Sequence, residues 1–322
     1  MMPATISPVT ERAIGFVAEH RPGAEALGRR LADDIADPDA FAAALSTGLA
    51  ALADPEYLAG ARRIAPGIGE LHGVRWPLLE AVKRGFREAT RRERTSGWLF
   101  VADRLLREPR LEARWFAFGL LDRLVVDDTE RAWQLLRRAA REAGDWITVD
   151  SLAHPVGRGI LSEPYRWAEL EQLVYSPWRW ERRLVGSTIA TIPFVDRRLG
   201  RTPDVAAHGL GLVRELIGDA EPDVQKALAW ALRSMAGVDR AATTAFLEDE
   251  AERAAATADG NRAWVVRDAL SKLEPGDADR IRASVGGIRR RAGWPSTSRA
   301  AETASRFGAG ILGRPMPEPP LA

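Results

Sequence analysis

The chain contains no cysteine. Disulfide staples, thiolate metal sites and a cysteine nucleophile are therefore excluded. Histidine is almost as scarce. His20, His72, His154 and His208 lie far apart, and no pair has the spacing of a zinc site. Neither a metal nor a cofactor is expected. Lysine is nearly missing, since Lys83, Lys226 and Lys272 are the only ones. Positive charge is thus carried by arginine, whose planar fork of donors suits carboxylates and phosphates. No basic-then-apolar leader opens the sequence, and no run approaches the ~20 apolar residues of a membrane span. These absences lead to the expectation of a soluble cytoplasmic protein with no membrane partner. Strand-type alternation is also wanting in nearly every segment.

What the sequence does hold is helical periodicity over 322 residues, 46% of them hydrophobic, enough for a substantial core. Two helices are expected at 9–20 and 23–35, split by Arg21-Pro22, and a third at 37–52 with Phe41, Leu45 and Leu49 as its apolar stripe. Further helices follow with short breaks. The one starting at Trp146 is expected to be kinked or short in its second half, because it contains His154-Pro155. Two-helix units recurring every ~35 to 45 residues point to an all-α, HEAT-like solenoid whose concave face takes a long ligand. A single solenoid domain over residues 1–284 is expected. Beyond it, residues 285–322 read as a basic, then Pro/Gly-rich tail with a disordered end. The Arg289-Arg290-Arg291 run within it reads first as a solvated basic stretch, with phosphate contact as the lesser alternative.

The formal charge is only +1, yet it is unevenly placed. Between Arg75 and Arg201 there are 24 basic residues against 18 acidic, while the rest of the chain has 22 against 27. Three constellations stand out around that basic region. In Gly144-Asp145-Trp146-Ile147-Thr148-Val149-Asp150, the glycine suits the end of one helix and Asp145 the N-cap of the next. Trp146 and Asp150 are then four residues apart on one helix face. Taken alone, this pair reads as a core tryptophan and a solvated or capping acid. The second constellation is Ser176-Pro177-Trp178-Arg179-Trp180-Glu181-Arg182-Arg183. The third runs from Asp223 to Arg233, with Lys226, Trp230 and Arg233 sharing a face. Each falls near the same point of a successive repeat, so their rings, cations and carboxylate should line one surface. Arg179, Arg182, Lys226 and Arg233 are candidates for holding phosphates, and the indoles for contacting sugar or base.

These motifs resemble those of the DNA alkylation repair proteins of AlkD type, the HEAT-like-repeat DNA glycosylases. Asp145-Trp146-Ile147-Thr148-Val149-Asp150-Ser151 is similar to the family's Trp-Trp-Asp-Ser-Val-Asp-Ser at four of seven positions. Trp180-Glu181-Arg182-Arg183-Leu184-Val185 is similar to Trp-x-x-Arg-x-Ala. Gln225-Lys226-Ala227-Leu228-Ala229-Trp230-Ala231-Leu232-Arg233 resembles Gln-Lys-Ala-Ile-Gly-Trp-x-Leu-Arg. Gly73-Val74-Arg75-Trp76-Pro77 echoes an upstream Gly-x-x-x-Pro. The likeness covers about Pro55 to Glu250. It implies a monomeric glycosylase that hydrolyses the N-glycosidic bond of cationic N3- or N7-alkylated purines in duplex DNA, without flipping the base. The same likeness implies the catalytic set: Asp150 as the carboxylate, Trp146 and Trp230 flanking the deoxyribose, and Arg183 holding the backbone nearby.

The sequence departs from the family pattern where Asp145 replaces the first tryptophan and Ile147 the inner aspartate. Two other readings stand beside the leading one. One is a non-catalytic HEAT-repeat binder of damaged or branched DNA; the other is a HEAT-type protein-interaction scaffold.

Overall fold

The computed structural model describes residues 7–92 and 95–311, with side chains through residue 306. Every regular element among them is helical. In chain order these are α1 (Pro8–Arg30), α2 (Pro38–Ala50), α3 (Pro55–Ile64), α4 (Trp76–Ala89), α5 (Ser96–Leu106), α6 (Leu111–Asp127), α7 (Thr129–Glu142) and α8 (Trp146–Ser162). They continue as α9 (Arg166–Gln172), α10 (Arg179–Val195), α11 (Pro203–Leu216), α12 (Pro222–Met235), α13 (Arg240–Thr257), α14 (Gly260–Ala269), α15 (Pro275–Ser284) and α16 (Arg299–Ile311). The all-α helical-repeat class read from the sequence is the class observed. Among the described residues no helix is long and apolar enough to cross a membrane.

Helix starts are written into the sequence. Asp37, Asp54, Asp145, Thr202, Asp239 and Asp259 each accept backbone N–H groups of the turn they open. That satisfies donors the helix itself leaves unpaired. Proline occupies the first turn of α2, α3, α11, α12 and α15, where a missing N–H costs nothing. The described chain gathers into two compact units, Met1–Leu135 and Leu136–Ala322.

In the first unit an aromatic cluster of Phe41, Phe86, Phe116 and Trp98 forms the centre, with ring centroids 5.2 to 5.9 Å apart. The expected stripe of Phe41, Leu45 and Leu49 is fully buried. The expected split at Pro22 does not occur: α1 is one helix containing that proline. Pro22 is exposed, while Ala24, Leu27 and Gly28 immediately after it are buried as α1 packs on α4. Packing on that side outweighs one lost backbone hydrogen bond. The crossing is close because two glycines permit it. A Cβ on Gly28 would lie 2.0 Å from the Val82 carbonyl oxygen, and one on Gly85 would lie 2.1 Å from that of Glu25.

The Gly73-Val74-Arg75-Trp76-Pro77 motif proves to be a built turn in this unit. Gly73 has a positive φ of 91°, the left-handed region that favours glycine. The wholly buried Glu112 carboxylate accepts the N–H groups of His72, Gly73 and Val74 at 3.1, 2.8 and 3.1 Å. Arg75 donates to Asp54 at 2.6 Å, tying the turn to the cap of α3.

The second unit consists of two helical layers. Helices α8, α10, α12 and α14 pack side by side in that order. The other layer is formed by α11, α13 and α15, preceded by the 3₁₀ turn Leu173–Tyr175 that extends α9. Helix α8, expected to be kinked or short in its second half, is not short: it runs for 17 residues to Ser162 with Pro155 inside it. Leu152, Val156 and Ile160 are buried on either side of that proline, and α8 packs closely on α10 at Gly157, where a Cβ would lie 3.0 Å from Ile192 Cγ1 and 3.4 Å from Val195 Cγ2. Helix α15 lies in a stretch for which no helix was expected. Of the tail expected over 285–322, residues 285–311 fold back on this unit and form α16, which packs against α11, while the end expected to be disordered lies outside the described residues.

Candidate active site

The site is assembled where α8, α10 and α12 begin. Asp145 opens α8 as its N-cap, with extended backbone. Its carboxylate accepts the Thr148 N–H at 2.9 Å and the Thr148 hydroxyl at 2.7 Å. It is buried, and burial pushes its pKa up, opposed by the bonds from Thr148. This capping role gives a physical reason for an aspartate where the family pattern has a tryptophan. Trp146 and Ile147 follow, both half-buried, and Asp150 comes one turn later on the face of Trp146.

Helix α10 brings Asp150 its partners. The loop before it is fixed by Ser176, which accepts the Trp178 N–H at 3.0 Å and donates to Glu181, and by the Trp178 indole N–H donating to the Ala143 carbonyl at 3.3 Å. Trp180 is buried and seats the first turn. From this turn Arg183 forms a two-pronged pair with Asp150, Nε to Oδ1 at 3.1 Å and Nη2 to Oδ2 at 2.7 Å. Such a fork fixes both the distance and the plane of the carboxylate. Arg183 also donates from Nη1 to the Asp223 carbonyl on α12 at 2.6 Å, so one guanidinium ties three helices together. Its Cζ lies 5.9 Å from the centroid of the Trp146 ring. Ser187, one turn beyond Arg183, donates its hydroxyl to Asp150 Oδ1 at 2.6 Å. Asp150 keeps 20% of its side chain exposed while Arg183 keeps 7%, so the carboxylate is the outward member of the pair.

The other expected site residues are placed differently. Trp230 is half-buried on α12, seven residues past Asp223, and has no hydrogen bond to the cluster among the described residues. Arg182 points away from Asp150. It donates to the buried Asp219 carboxylate at 2.7 Å and to the Ser176 and Pro177 carbonyls at 2.8 and 3.0 Å. Arg233 is held by Asp268 at 2.7 Å. Arg179 is exposed, with its Cζ 4.8 Å from the Trp180 ring centroid and 3.8 Å between Nη1 and Glu221. Lys226 is exposed and has no ion pair among the described residues. The structure thus joins Trp146, Asp150 and Arg183 directly. It adds Ser187, which sequence reasoning missed. A hydroxyl side chain four residues after Arg183, and so on the same helix face, was the available signal.

A two-layer array of helical hairpins carrying a carboxylate fixed by a guanidinium and a hydroxyl beside an indole defines the class of molecule. A family model described as DNA alkylation repair enzyme matches residues 45–273, and the chain belongs to that family. The match takes in every residue of the site and places the protein in the repair of alkylated DNA. No curated protein sequence matches the chain.

Proposed function

We propose that the protein is a DNA glycosylase that releases cationic N3- or N7-alkylated purines from duplex DNA. The observation that carries this reading is the Asp150 carboxylate, oriented by Arg183 and Ser187 and still partly open to solvent beside Trp146. An alkylated purine carries a positive charge and leaves readily, so a strong general acid is not required. As the bond from C1′ to the base nitrogen breaks, its electron pair stays with the purine, which departs neutral. The deoxyribose takes on oxocarbenium character, as in other glycosidic cleavages. A fixed anion beside that developing cation lowers the barrier, and its orientation needs no adjustment during the reaction. Water then bonds to C1′ and loses a proton, with the carboxylate placed to orient it. The products are free base and an abasic site.

In this reading Trp146 and Trp230 flank the sugar and Arg183 is a positioning residue for Asp150. Arg179 and Lys226, exposed at the starts of α10 and α12, hold phosphates. Arg182 and Arg233 support the helices that carry the site, through their carboxylate partners. The base is released without being flipped into a pocket, as the family resemblance implies. The protein acts as a monomer on duplex DNA, with no cofactor.

The test is base release from duplex DNA containing N7-methylguanine. Free N7-methylguanine and an equal yield of abasic sites are expected. Tight binding of the same duplex without release would leave the non-catalytic binder, and neither binding nor release would leave the scaffold.

A further inference from the structure

The segment joining α15 to α16, Gly286-Gly287-Ile288-Arg289-Arg290-Arg291-Ala292-Gly293-Trp294-Pro295-Ser296-Thr297-Ser298, lies outside the family match. It forms a strap across the second unit. Thr297 N–H donates to the Gly218 carbonyl at 2.9 Å and its hydroxyl to Asp259 at 2.6 Å, while Asn261 donates to the Pro295 carbonyl at 3.1 Å. Arg267 of α14 donates to the Val285 and Ile288 carbonyls, both at 2.8 Å. The path depends on a glycine at the start of α14, because a Cβ on Gly260 would lie 2.2 Å from the Arg289 carbonyl oxygen. The strap therefore crosses the first turns of α14 and, through Arg290, of α12. The Nη1 of Arg290 donates to Gln225 at 2.8 Å. Gln225 is two residues from Asp223, whose carbonyl receives Arg183 of the site.

The strap displays three consecutive arginines, whereas several arginines nearer the core of the unit are paired. Arg182, Arg183, Arg214, Arg233 and Arg262 of the same unit all face carboxylates. Arg289, Arg290 and Arg291 are exposed, and none of them is ion-paired among the described residues. Their partners are neutral: the carbonyls of Gly286 and Ile288 for Arg289, Gln225 and the Trp264 ring for Arg290, and the Trp294 ring 4.7 Å from Arg291. Trp294 is itself 45% exposed. A basic run is ordinarily a solvated surface. Here the backbone is pinned, and an anion can reach the guanidiniums without breaking an ion pair. Exposed Lys226, next to Gln225, adds a further cation on α12.

We infer that this strap is a second nucleic-acid contact, which grips the phosphates of the duplex flanking the site. The inference rests on the DNA-repair reading of Asp150 and its neighbours. Arg289 to Arg291 bind phosphate, and Trp294 braces Arg291 against the sugar-phosphate backbone.

The test uses the full chain and a short, unmodified, fluorescently labelled DNA duplex. Three proteins are compared: the parent, the Arg289→Ala/Arg290→Ala/Arg291→Ala variant, and a control lacking three exposed, carboxylate-paired arginines of α13 and α15 (Arg240→Ala/Arg280→Ala/Arg282→Ala). Loss of three phosphate contacts should make the log affinity against log salt slope shallower by about 2 to 3 and weaken low-salt binding at least about tenfold. The control should keep the parental slope. Should removal of Arg290 from Gln225 loosen the fold, as thermal unfolding would show, the Arg289→Ala/Arg291→Ala pair leaves that bond intact and should flatten the slope by about 1 to 2. Parental affinity and slope in the strap variants would overturn the inference and leave the proposed activity standing. An equal effect in the control would overturn it too, because net charge rather than the strap would then be responsible. A parent that fails to bind the duplex at low salt would overturn both.

Discussion

Asp150 is ordinary as a residue type and unusual in its company. The sequence placed it on the face of Trp146, because a four-residue spacing in a helix allows little else. Arg183 entered only through family likeness, as a residue holding the backbone nearby, and Ser187 was not seen at all, since 37 residues separate it from Asp150. Partners of that kind are set by how α8 and α10 pack, which no local pattern encodes. Removing the Ser187 hydroxyl (Ser187→Ala) leaves the Arg183 fork in place, so single-turnover excision should fall only about tenfold, the equivalent of ~1.4 kcal/mol. An unchanged rate would mean the fork alone positions the carboxylate. Asp145 carries a separate expectation. Asp145→Ala removes the cap and should destabilise the fold by about 1 kcal/mol, read from urea unfolding. Burial raises its pKa above the ordinary 3.8, so its favourable contribution is complete below that value and is lost as pH rises through the raised pKa. Asp145→Asn keeps a capping oxygen and does not titrate. Its stability relative to the parent should therefore improve from acid to neutral pH, whereas a difference independent of pH would contradict the assignment.

At the scale of elements, the helix starts were the legible part. Asp37, Asp54, Asp145 and the first-turn prolines announce their helices with local chemistry. Prolines inside helices were misleading. Pro22 suggested a break and Pro155 a kinked or short second half, yet α1 and α8 each run on past their proline, with buried residues following it. The geometry of the site depends on a close approach that the sequence marked only by a glycine. Gly186 of α10 faces α12, and a Cβ there would lie 2.8 Å from the Ala227 carbonyl carbon and 3.0 Å from the Leu228 nitrogen. Because backbone has no room to yield, Gly186→Ala should push α12 away from α10 at a cost of about 1 to 3 kcal/mol. It should also disturb the bond from Arg183 to Asp223. Thermal unfolding and excision measured on the same preparation would report both effects. A variant as stable and active as the parent would show that the helices can slide to accommodate the methyl group.

For the whole molecule, the helical class was readable from periodicity, while the division into two compact units was not, because short breaks of similar length recur along the chain. The basic excess between Arg75 and Arg201 was also readable, but much of it is neutralised locally. Arg104, Arg107, Arg131, Arg137 and Arg182 all pair with carboxylates. Binding to duplex DNA should therefore weaken steeply with salt, yet with a slope of about −4 to −5, corresponding to on the order of five phosphates rather than to every arginine present. Insensitivity to salt would remove the electrostatic basis for DNA as the partner. The central claim, that the Asp150 carboxylate stabilises a developing sugar cation, is tested most directly by Asp150→Asn. That change keeps shape and removes charge. Single-turnover release of N7-methylguanine from duplex DNA should fall by about 10² to 10³, with duplex affinity unchanged or tighter. A folded Asp150→Asn protein that binds the duplex and releases the base at the parental rate would contradict the account.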